Sequence, residues 1–155
     1  MAMKKLSPYL LTFLFGGIVF LISCSSPKTL INMGADGVAL KGYDPVAYFT
    51  LSRAVPGQEE LQYTWRNARW HFSSQEHLML FKENPDKYVP QYGGYCAYAV
   101  SRGTTADIDP EAWAIVDSKL YLNLNKEVQK IWQQDREEYI KKADKNWPRI
   151  VRTLR

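Results

Sequence analysis

The segment "LQYTWRNARWHFSSQEHLMLF", from Leu61 to Phe81, determines the fold that we predict for this 155-residue chain. In its first half, apolar and aromatic residues alternate with polar ones, which is typical of a half-buried strand. Asn67-Ala68 interrupts the alternation and is suited to a turn between two antiparallel strands. The segment therefore predicts a β-hairpin in which Trp70 and Phe72 face the core and His71 faces the opposite way.

The second half of the segment has the pattern of a helix with a capped first turn. Ser73 and Glu76 have the spacing of a capping box, in which side chains satisfy the free backbone amides. This spacing predicts a helix from residue 74 to about residue 83, with Ser73 as its N-cap. Asn84-Pro85 then restarts a helical turn, which Pro90 ends.

A second hairpin is predicted farther along the chain. Residues 114–124 contain two apolar runs that flank a turn at Asp117-Ser118-Lys119. Three leucines of the second run are expected to face the core, namely Leu120, Leu122 and Leu124. Asn125 is expected to cap the helix that follows this hairpin.

Proline and glycine positions predict most of the remaining elements. Asp44-Pro45 and Asp109-Pro110 each place a capping residue before a proline, which predicts the start of a short helix. Gly93-Gly94 predicts a close backbone approach. Residues 95–102 are expected to form a short helix that ends at a left-handed Gly103.

The region from residue 37 to residue 155 is predicted to form one α+β domain, in which small antiparallel β-hairpins pack against several short helices. Val38–Lys41 is expected to be a short strand, and Trp147-Pro148 to open a separate last turn. We find no internal repeat and no low-complexity tract in the sequence. A domain of this size can bury a hydrophobic core.

The first 36 residues have the composition of an export signal followed by a tether. Lys4-Lys5 precedes a mostly apolar run over residues 6–22, which predicts a signal peptide over residues 1–23. The end of this run, Leu21-Ile22-Ser23-Cys24, resembles the bacterial lipobox. That resemblance implies cleavage before Cys24 and attachment of diacylglycerol and a palmitate-type acyl chain to it. Residues 24–36 would then be a lipidated tether, with an ordinary signal peptide or a signal anchor as the alternatives.

The charge distribution argues against nucleic acid as a partner. Removal of the two signal-peptide lysines lowers the formal net charge from +4 to +2. The remaining basic residues are scattered apart from one C-terminal group, which comprises Lys141, Lys142, Lys145, Arg149, Arg152 and Arg155. We interpret this group as a solvated helix face or as one that rests against anionic lipid. We expect a protein of the bacterial cell envelope, anchored by its N-terminal lipid at the periplasmic face or in the outer membrane.

Three segments together resemble the YHS domain proteins, and more narrowly their exported branch. They are "GYDPVAYF" (residues 42–49), "WHFSSQEHLMLFKENPDKYVPQYGGYCAYA" (residues 70–99) and "DPEAWAIVDSKLYLN" (residues 109–123). This family is related to small TRASH-type modules in which cysteines bind metal ions. The resemblance therefore implies a YHS-like domain and a metal-handling or envelope protein as a partner.

Two of the three ligand positions of the metal-binding relatives are lost in this chain. Where the relatives have Asp-Pro-Val-Cys, this chain has Asp44-Pro45-Val46-Ala47, so Ala47 replaces the first cysteine. Ser73 replaces the second cysteine, and His77 replaces the third. The resemblance thus leaves His77 as the one remaining ligand of that set.

Cys96 is the only thiol left if Cys24 is acylated, so an internal disulfide is impossible. As a small, apolar side chain it is expected to pack in the core. Alternatively, it is a reactive thiol, or it joins the only two histidines, His71 and His77, in a site for copper or zinc.

Aromatic residues around the paired glycines suggest a pocket for a small ligand or the edge of a haem. Its expected residues are Tyr43, Asp44, Tyr92, Gly93, Gly94 and Tyr95. Tyrosines in an aromatic core are the structural alternative. The sequence contains no nucleophile motif and no phosphate-binding loop. We therefore expect a non-catalytic module that binds a metal or a small ligand. The alternatives are a thiol-dependent redox protein or enzyme that uses Cys96, and a structural or partner-docking lipoprotein with a decayed metal site.

Overall fold

The computed structural model describes residues 30–154, which form an α+β fold with six α-helices and two two-stranded antiparallel sheets. The predicted fold class is therefore confirmed. The predicted signal peptide, Cys24 and the first six residues of the predicted tether lie outside the described residues.

Each hairpin leads directly into a helix. The strands are β1 (Gln58–Trp65), β2 (Ala68–Phe72), β3 (Asp109–Val116) and β4 (Lys119–Asn123). The α-helices are α1 (Ala47–Thr50), α2 (Gln75–Glu83), α3 (Pro85–Tyr88), α4 (Ala97–Ser101), α5 (Lys126–Gln134) and α6 (Arg136–Leu154). Two 3-10 helices, Leu40–Gly42 and Gln91–Gly94, precede α1 and α4.

The first hairpin forms as predicted, but its turn lies one residue earlier than the predicted Asn67-Ala68, since Trp65 pairs with Ala68 at the closed end. Arg66 and Asn67 form the turn, and both have positive φ. Trp70 and Phe72 are buried, whereas the intervening His71 is only half-buried. The rings of Trp70 and Phe72 both pack on Phe81 of α2, with centroids 5.4 and 5.1 Å away, so α2 covers the buried face of the hairpin.

The second hairpin also forms as predicted, with Val116 paired to Lys119. Leu120 and Leu122 are buried, but Leu124 is 43% exposed, so this part of the prediction is wrong. The reason is that β4 ends at Asn123, and Leu124 lies in the link to α5.

The two hairpin–helix segments have the same element order and the same element lengths, which was not predicted from the sequence. β1 and β3 have eight residues each, β2 and β4 five each, and α2 and α5 nine each. Gln58 corresponds to Asp109 and Gln75 to Lys126, a spacing of 51 residues in both cases. The turn residues with positive φ, and a register shift in the long strand, also recur at this spacing.

The correspondence extends to the elements before and after each hairpin. Each hairpin is preceded by a 3-10 helix and a short α-helix, and α3 and α6 begin 51 residues apart. We call residues 40–90 the first unit and residues 91–141 the second unit. This correspondence of secondary-structure elements was not predicted, because we find no repeat in the sequence itself.

Two predicted helix starts are corrected. Ser74, and not Ser73, caps α2, because its hydroxyl accepts a hydrogen bond from the backbone N–H of His77. Asp109-Pro110 begins a strand rather than a helix. The Asp109 carboxylate does accept a hydrogen bond from the Glu111 N–H, but the chain then enters the register shift of β3 instead of a helical turn.

The other predicted helices are close to those observed. Asn125 caps α5 by accepting from the Val128 N–H at 2.8 Å. Residues 97–101 form α4, and Gly103 behind it has positive φ. Trp147-Pro148 does not open a separate turn, since α6 continues through Pro148. Ile150 and Leu154 beyond the proline are buried, so tertiary packing holds the last part of the helix in place.

The first described residues pack against the rest of the domain. Ile31 is only 4% exposed, and the Asn32 N–H donates to the Gly93 carbonyl at 2.8 Å. Residues from the predicted tether thus contact the domain. Val38–Lys41 makes isolated bridges and a 3-10 turn rather than a strand.

Candidate functional site

The structure does not bring the three expected metal ligands together. Within residues 30–154, no group of three or more His, Cys, Asp or Glu side chains could hold a metal ion. Cys96 is 1% exposed, and its Sγ faces the amide oxygen of Asn123 at 3.9 Å. His71 packs against Gly42, and His77 is bound to Asp44. The expected Cys96–His71–His77 site is therefore not formed.

Asp44 is instead the centre of a buried polar network. Its Oδ1 accepts from the backbone N–H groups of Val46 and Ala47, at 2.9 and 3.3 Å. The predicted helix start at Asp44-Pro45 is therefore corrected: Val46 is the N-cap and α1 begins at Ala47, while Asp44 bonds the amides of the turn that leads into it. Its Oδ2 accepts from the Ser73 N–H at 2.8 Å and from the Ser73 hydroxyl at 2.6 Å. Ser73 therefore donates hydrogen bonds to this carboxylate and does not cap α2.

His77 completes the network and is fixed at both ring nitrogens. Its Nδ1 lies 2.6 Å from Asp44 Oδ2, and its Nε2 lies 3.0 Å from the hydroxyl of Thr50. Asp44 is fully buried and His77 is 7% exposed. The network links α1, the end of β2 and the first turn of α2 in one set of hydrogen bonds.

A hydroxyl, an imidazole and a carboxylate in this order can in principle pass a proton during nucleophilic catalysis. Here the Thr50 hydroxyl donates to the carbonyl of Val46, the N-cap of α1, at 3.1 Å. While the single hydroxyl hydrogen is directed to Val46, Thr50 cannot donate to His77 Nε2, and the donor in the contact between Thr50 and His77 depends on the imidazole tautomer. The hydrogen bonds of Asp44, Ser73, His77 and Thr50 thus connect α1, the end of β2 and α2.

The second unit contains the same backbone arrangement without this network. The Asp44 N–H donates to the Val55 carbonyl, and the Cys96 N–H donates in the same way to the Ala106 carbonyl. Cys96 therefore makes the backbone contact that Asp44 makes, although it stands 52 residues later and is also the N-cap of α4, as Val46 is of α1. Val128 occupies the position of His77, because both backbone N–H groups bond the cap of their helix.

A cleft of about 690 Å³ lies away from this network, between the N-terminal segment, the first-unit turn and α6. Its apolar wall comprises Leu30, Ile31, Val89, Pro90, Trp147, Val151 and Leu154. Its polar residues are Arg66, Asn67, Asp86 and Gln91. A concave site with an apolar wall and a few polar groups is typical of small-molecule binding.

Tyr92 and Gly93 are the two predicted pocket residues that line this cleft. Asp44 belongs to the buried network instead, and the remaining predicted residues, Tyr43, Gly94 and Tyr95, do not line the cleft. At Gly93, where φ is +61°, an added Cβ would lie 1.8 Å from the Leu30 carbonyl oxygen. The predicted close backbone approach is confirmed, and its partner is the N-terminal segment.

Tyr92 is held rigidly at the base of the cleft. Its hydroxyl donates to Asp144 at 2.8 Å, and its ring meets that of Trp147 edge-on at 5.8 Å. Burial, together with the hydrogen bond to Asp144, raises the pKa of the Tyr92 hydroxyl above its ordinary value of 10.0. The hydroxyl is therefore neutral and donates the hydrogen bond that connects Tyr92 to Asp144 of α6.

Arg66 and Asp86 form the charged edge of the cleft. The Arg66 guanidinium lies 3.1 Å from the Asp86 carboxylate and 4.0 Å above the ring of Trp65. Both side chains are more than half exposed, so the ion pair is solvated and can rearrange around a polar ligand group.

The contribution of α6 to the cleft was not predicted from the sequence. Trp147, Val151 and Leu154 have the spacing of one helical face, which the predicted break at Pro148 concealed. Recognition of an uninterrupted amphipathic helix would have identified this wall.

Comparisons of the chain with protein-family models, with curated proteins and with solved structures find no match. Among residues 30–154, no helix is long and apolar enough to cross a membrane.

Proposed function

We propose that this protein is a non-catalytic module that binds a small, largely apolar ligand in the cleft beside Trp147. The observation that carries the proposal is the cleft itself, with its apolar wall and its single charged edge. A volume of about 690 Å³ suits a small organic molecule. A metal ion is not part of the proposal, because the described residues offer no suitable donor group.

We further propose that the protein is an exported lipoprotein of the YHS domain family, held at the bacterial cell envelope through Cys24. The three motif segments and the lipobox-like Leu21–Cys24 support this assignment. Detergent-phase partitioning of wild-type protein and Cys24→Ala tests the anchor. Normal cleavage and unchanged partitioning of the variant would refute it.

The cleft is tested by titrating the protein with bromododecanoic acid and recording tryptophan fluorescence. We expect saturable quenching, because bromine in the cleft would lie beside the Trp147 indole. Trp147→Phe should remove most of the quenching, and Trp113→Phe, on β3, is the matched control. Val151→Trp should fill the cleft and abolish binding, whereas Ile131→Trp on the exposed face of α5 should not. Equal quenching in all four variants would contradict the proposal.

The alternative of a thiol-dependent enzyme requires a reactive Cys96. A thiol that is 1% exposed must wait for an opening of the structure before it meets a reagent. We expect slow reaction with a thiol reagent until denaturant is added, and no effect of added Cu(I) or Zn(II). Rapid labelling of the native protein would favour the enzyme instead.

A further inference from the structure

We propose that the basic face of α6 docks on an anionic lipid bilayer beside the N-terminal tether. The basic face consists of Lys141, Lys142, Lys145, Arg149 and Arg152, all of which are exposed. This inference rests on the lipid anchor of the proposed function and adds a defined orientation of the domain on the membrane.

Charge in the described part of the chain is strongly segregated. Residues 141–154 carry five basic side chains and one acidic one, which is Asp144. Residues 30–140 carry eleven basic and fifteen acidic side chains, so their net charge is −4, compared with +4 for residues 141–154 of α6. An anionic surface therefore attracts residues 141–154 more strongly than it attracts the remainder of the described chain.

The basic side chains share one face of the helix. Lys145, Arg149 and Arg152 follow Lys141 at intervals of four, eight and eleven residues, which places them on one side of α6. The opposite side carries the buried Ala143, Ile150 and Leu154. Within residues 30–154, Lys142 is the one member of this face with an ion pair, to Glu138. The face is thus exposed and largely uncompensated.

The N-terminal segment meets the domain next to this helix. Leu30, the first described residue, lines the same cleft as Trp147, Val151 and Leu154 of α6. The six residue steps from Cys24 to Leu30 span at most about 20 Å when fully extended. Lys28 in this interval adds a further positive charge.

A short tether at this place brings α6 close to the lipid headgroups. Basic residues bind an anionic leaflet only within roughly a Debye length, which is about 8 Å at physiological ionic strength. The anchor keeps α6 near the headgroups, and the basic face determines which side of the domain turns toward the bilayer. The acidic remainder of the domain then points away from the bilayer.

The test uses the acylated protein, purified from membranes and placed in nanodiscs of phosphatidylcholine alone or mixed with phosphatidylglycerol. Lysines are labelled with an N-hydroxysuccinimide acetate and quantified by mass spectrometry. We expect labelling of Lys141, Lys142 and Lys145 to fall by about threefold or more in the anionic discs. Labelling of Lys82, Lys87 and Lys119, on other elements, should change little, and high salt should reverse the protection.

A charge-reversal variant separates docking from general charge effects. Lys145→Glu/Arg149→Glu/Arg152→Glu should remove the protection of Lys141. Lys82→Glu/Lys87→Glu/Lys119→Glu changes the net charge equally and should preserve it. Equal labelling of α6 in neutral and anionic discs would overturn the docking proposal while the anchor stands. Absence of the protein from both disc preparations would overturn the anchor, and the docking proposal with it.

Discussion

The first and second units build the same backbone around different buried chemistry. In the first unit, the loop before α1 carries Asp44, whose carboxylate accepts hydrogen bonds from Ser73 and His77. In the second unit, the corresponding loop carries Cys96, and Val128 stands where His77 would be. The second unit is therefore an internal control, since it shows that this architecture forms without a buried carboxylate.

The two units together show that the fold does not require the Asp44 network, which is present in the first unit alone among the described residues. A buried ionisable pair contributes little net stability compared with well-packed apolar groups, but it is costly to break. The stability of the first unit therefore depends on each side chain of the Asp44 network. In the second unit, the Cys96 thiol faces the uncharged amide of Asn123, so the loss of a single group leaves no unpaired buried charge.

The largest expected effect follows from removing Asp44. Asp44→Ala leaves Ser73, His77 and two backbone amides without their acceptor, so we expect a loss of about 3–5 kcal/mol in the free energy of unfolding. Cys96→Ala, the equivalent change in the second unit, should cost less than half as much. Urea denaturation of both variants measures the difference.

A double variant that carries second-unit residues in the first unit tests the same comparison. Asp44→Cys/His77→Val replaces the charged pair by the residues at the equivalent positions of the second unit. We expect this double variant to be more stable than Asp44→Ala, since no charged group remains buried without a partner. A double variant that is less stable than either single change would show that the two units are not equivalent.

The contact between the N-terminal segment and Gly93 is expected to show the next largest effect. Gly93→Ala combines a left-handed backbone with a clash against the Leu30 carbonyl, so a loss of about 2–4 kcal/mol is expected. Gly37→Ala is the matched control, because φ there is +78° but no atom lies within 4 Å of the added Cβ. It should cost only about 1 kcal/mol. Equal losses in thermal denaturation would mean that the close approach is unimportant.

The two helix caps should behave alike, in contrast to the two buried sites. Ser74→Ala and Asn125→Ala each remove one acceptor for a helix N–H, and each should cost about 1 kcal/mol. Denaturant midpoints of the two variants measure this. Ser73→Ala, which removes a donor to Asp44 instead of a cap, should differ from both by altering the environment of the His77 ring in NMR spectra.

These comparisons also explain which features could be predicted from the sequence. The hairpins were predictable because alternation of apolar residues and turn residues is a local signal, and Asn125 was predictable for the same reason. Whether Ser73 or Ser74 caps α2 depends on Asp44, which lies 29 residues before Ser73 and accepts a hydrogen bond from the Ser73 hydroxyl. The repeat was missed because the two units share element lengths but few side chains. The cleft was missed in part because burial of Ile150 and Leu154 overrides the helix-breaking tendency of Pro148.

The smallest expected effect concerns Asp107, which stands 51 residues after Pro56 and so has no carboxylate counterpart in the first unit. Burial alone would raise the pKa of Asp107, but hydrogen bonds from Lys41, the Ile108 amide and Asn32 outweigh it and hold the pKa below its ordinary value of 3.8. The ionised carboxylate therefore favours folding above that value, and its contribution is lost as the pH falls through the lowered pKa. Because Lys41 and Asp107 are both about half exposed, we expect less than about 1 kcal/mol. Asp107→Asn should reduce stability slightly at neutral pH and make it less dependent on pH below 4, as measured by urea denaturation across that range. An unchanged acid profile would show that this exposed cluster does not help to hold the N-terminal segment in place.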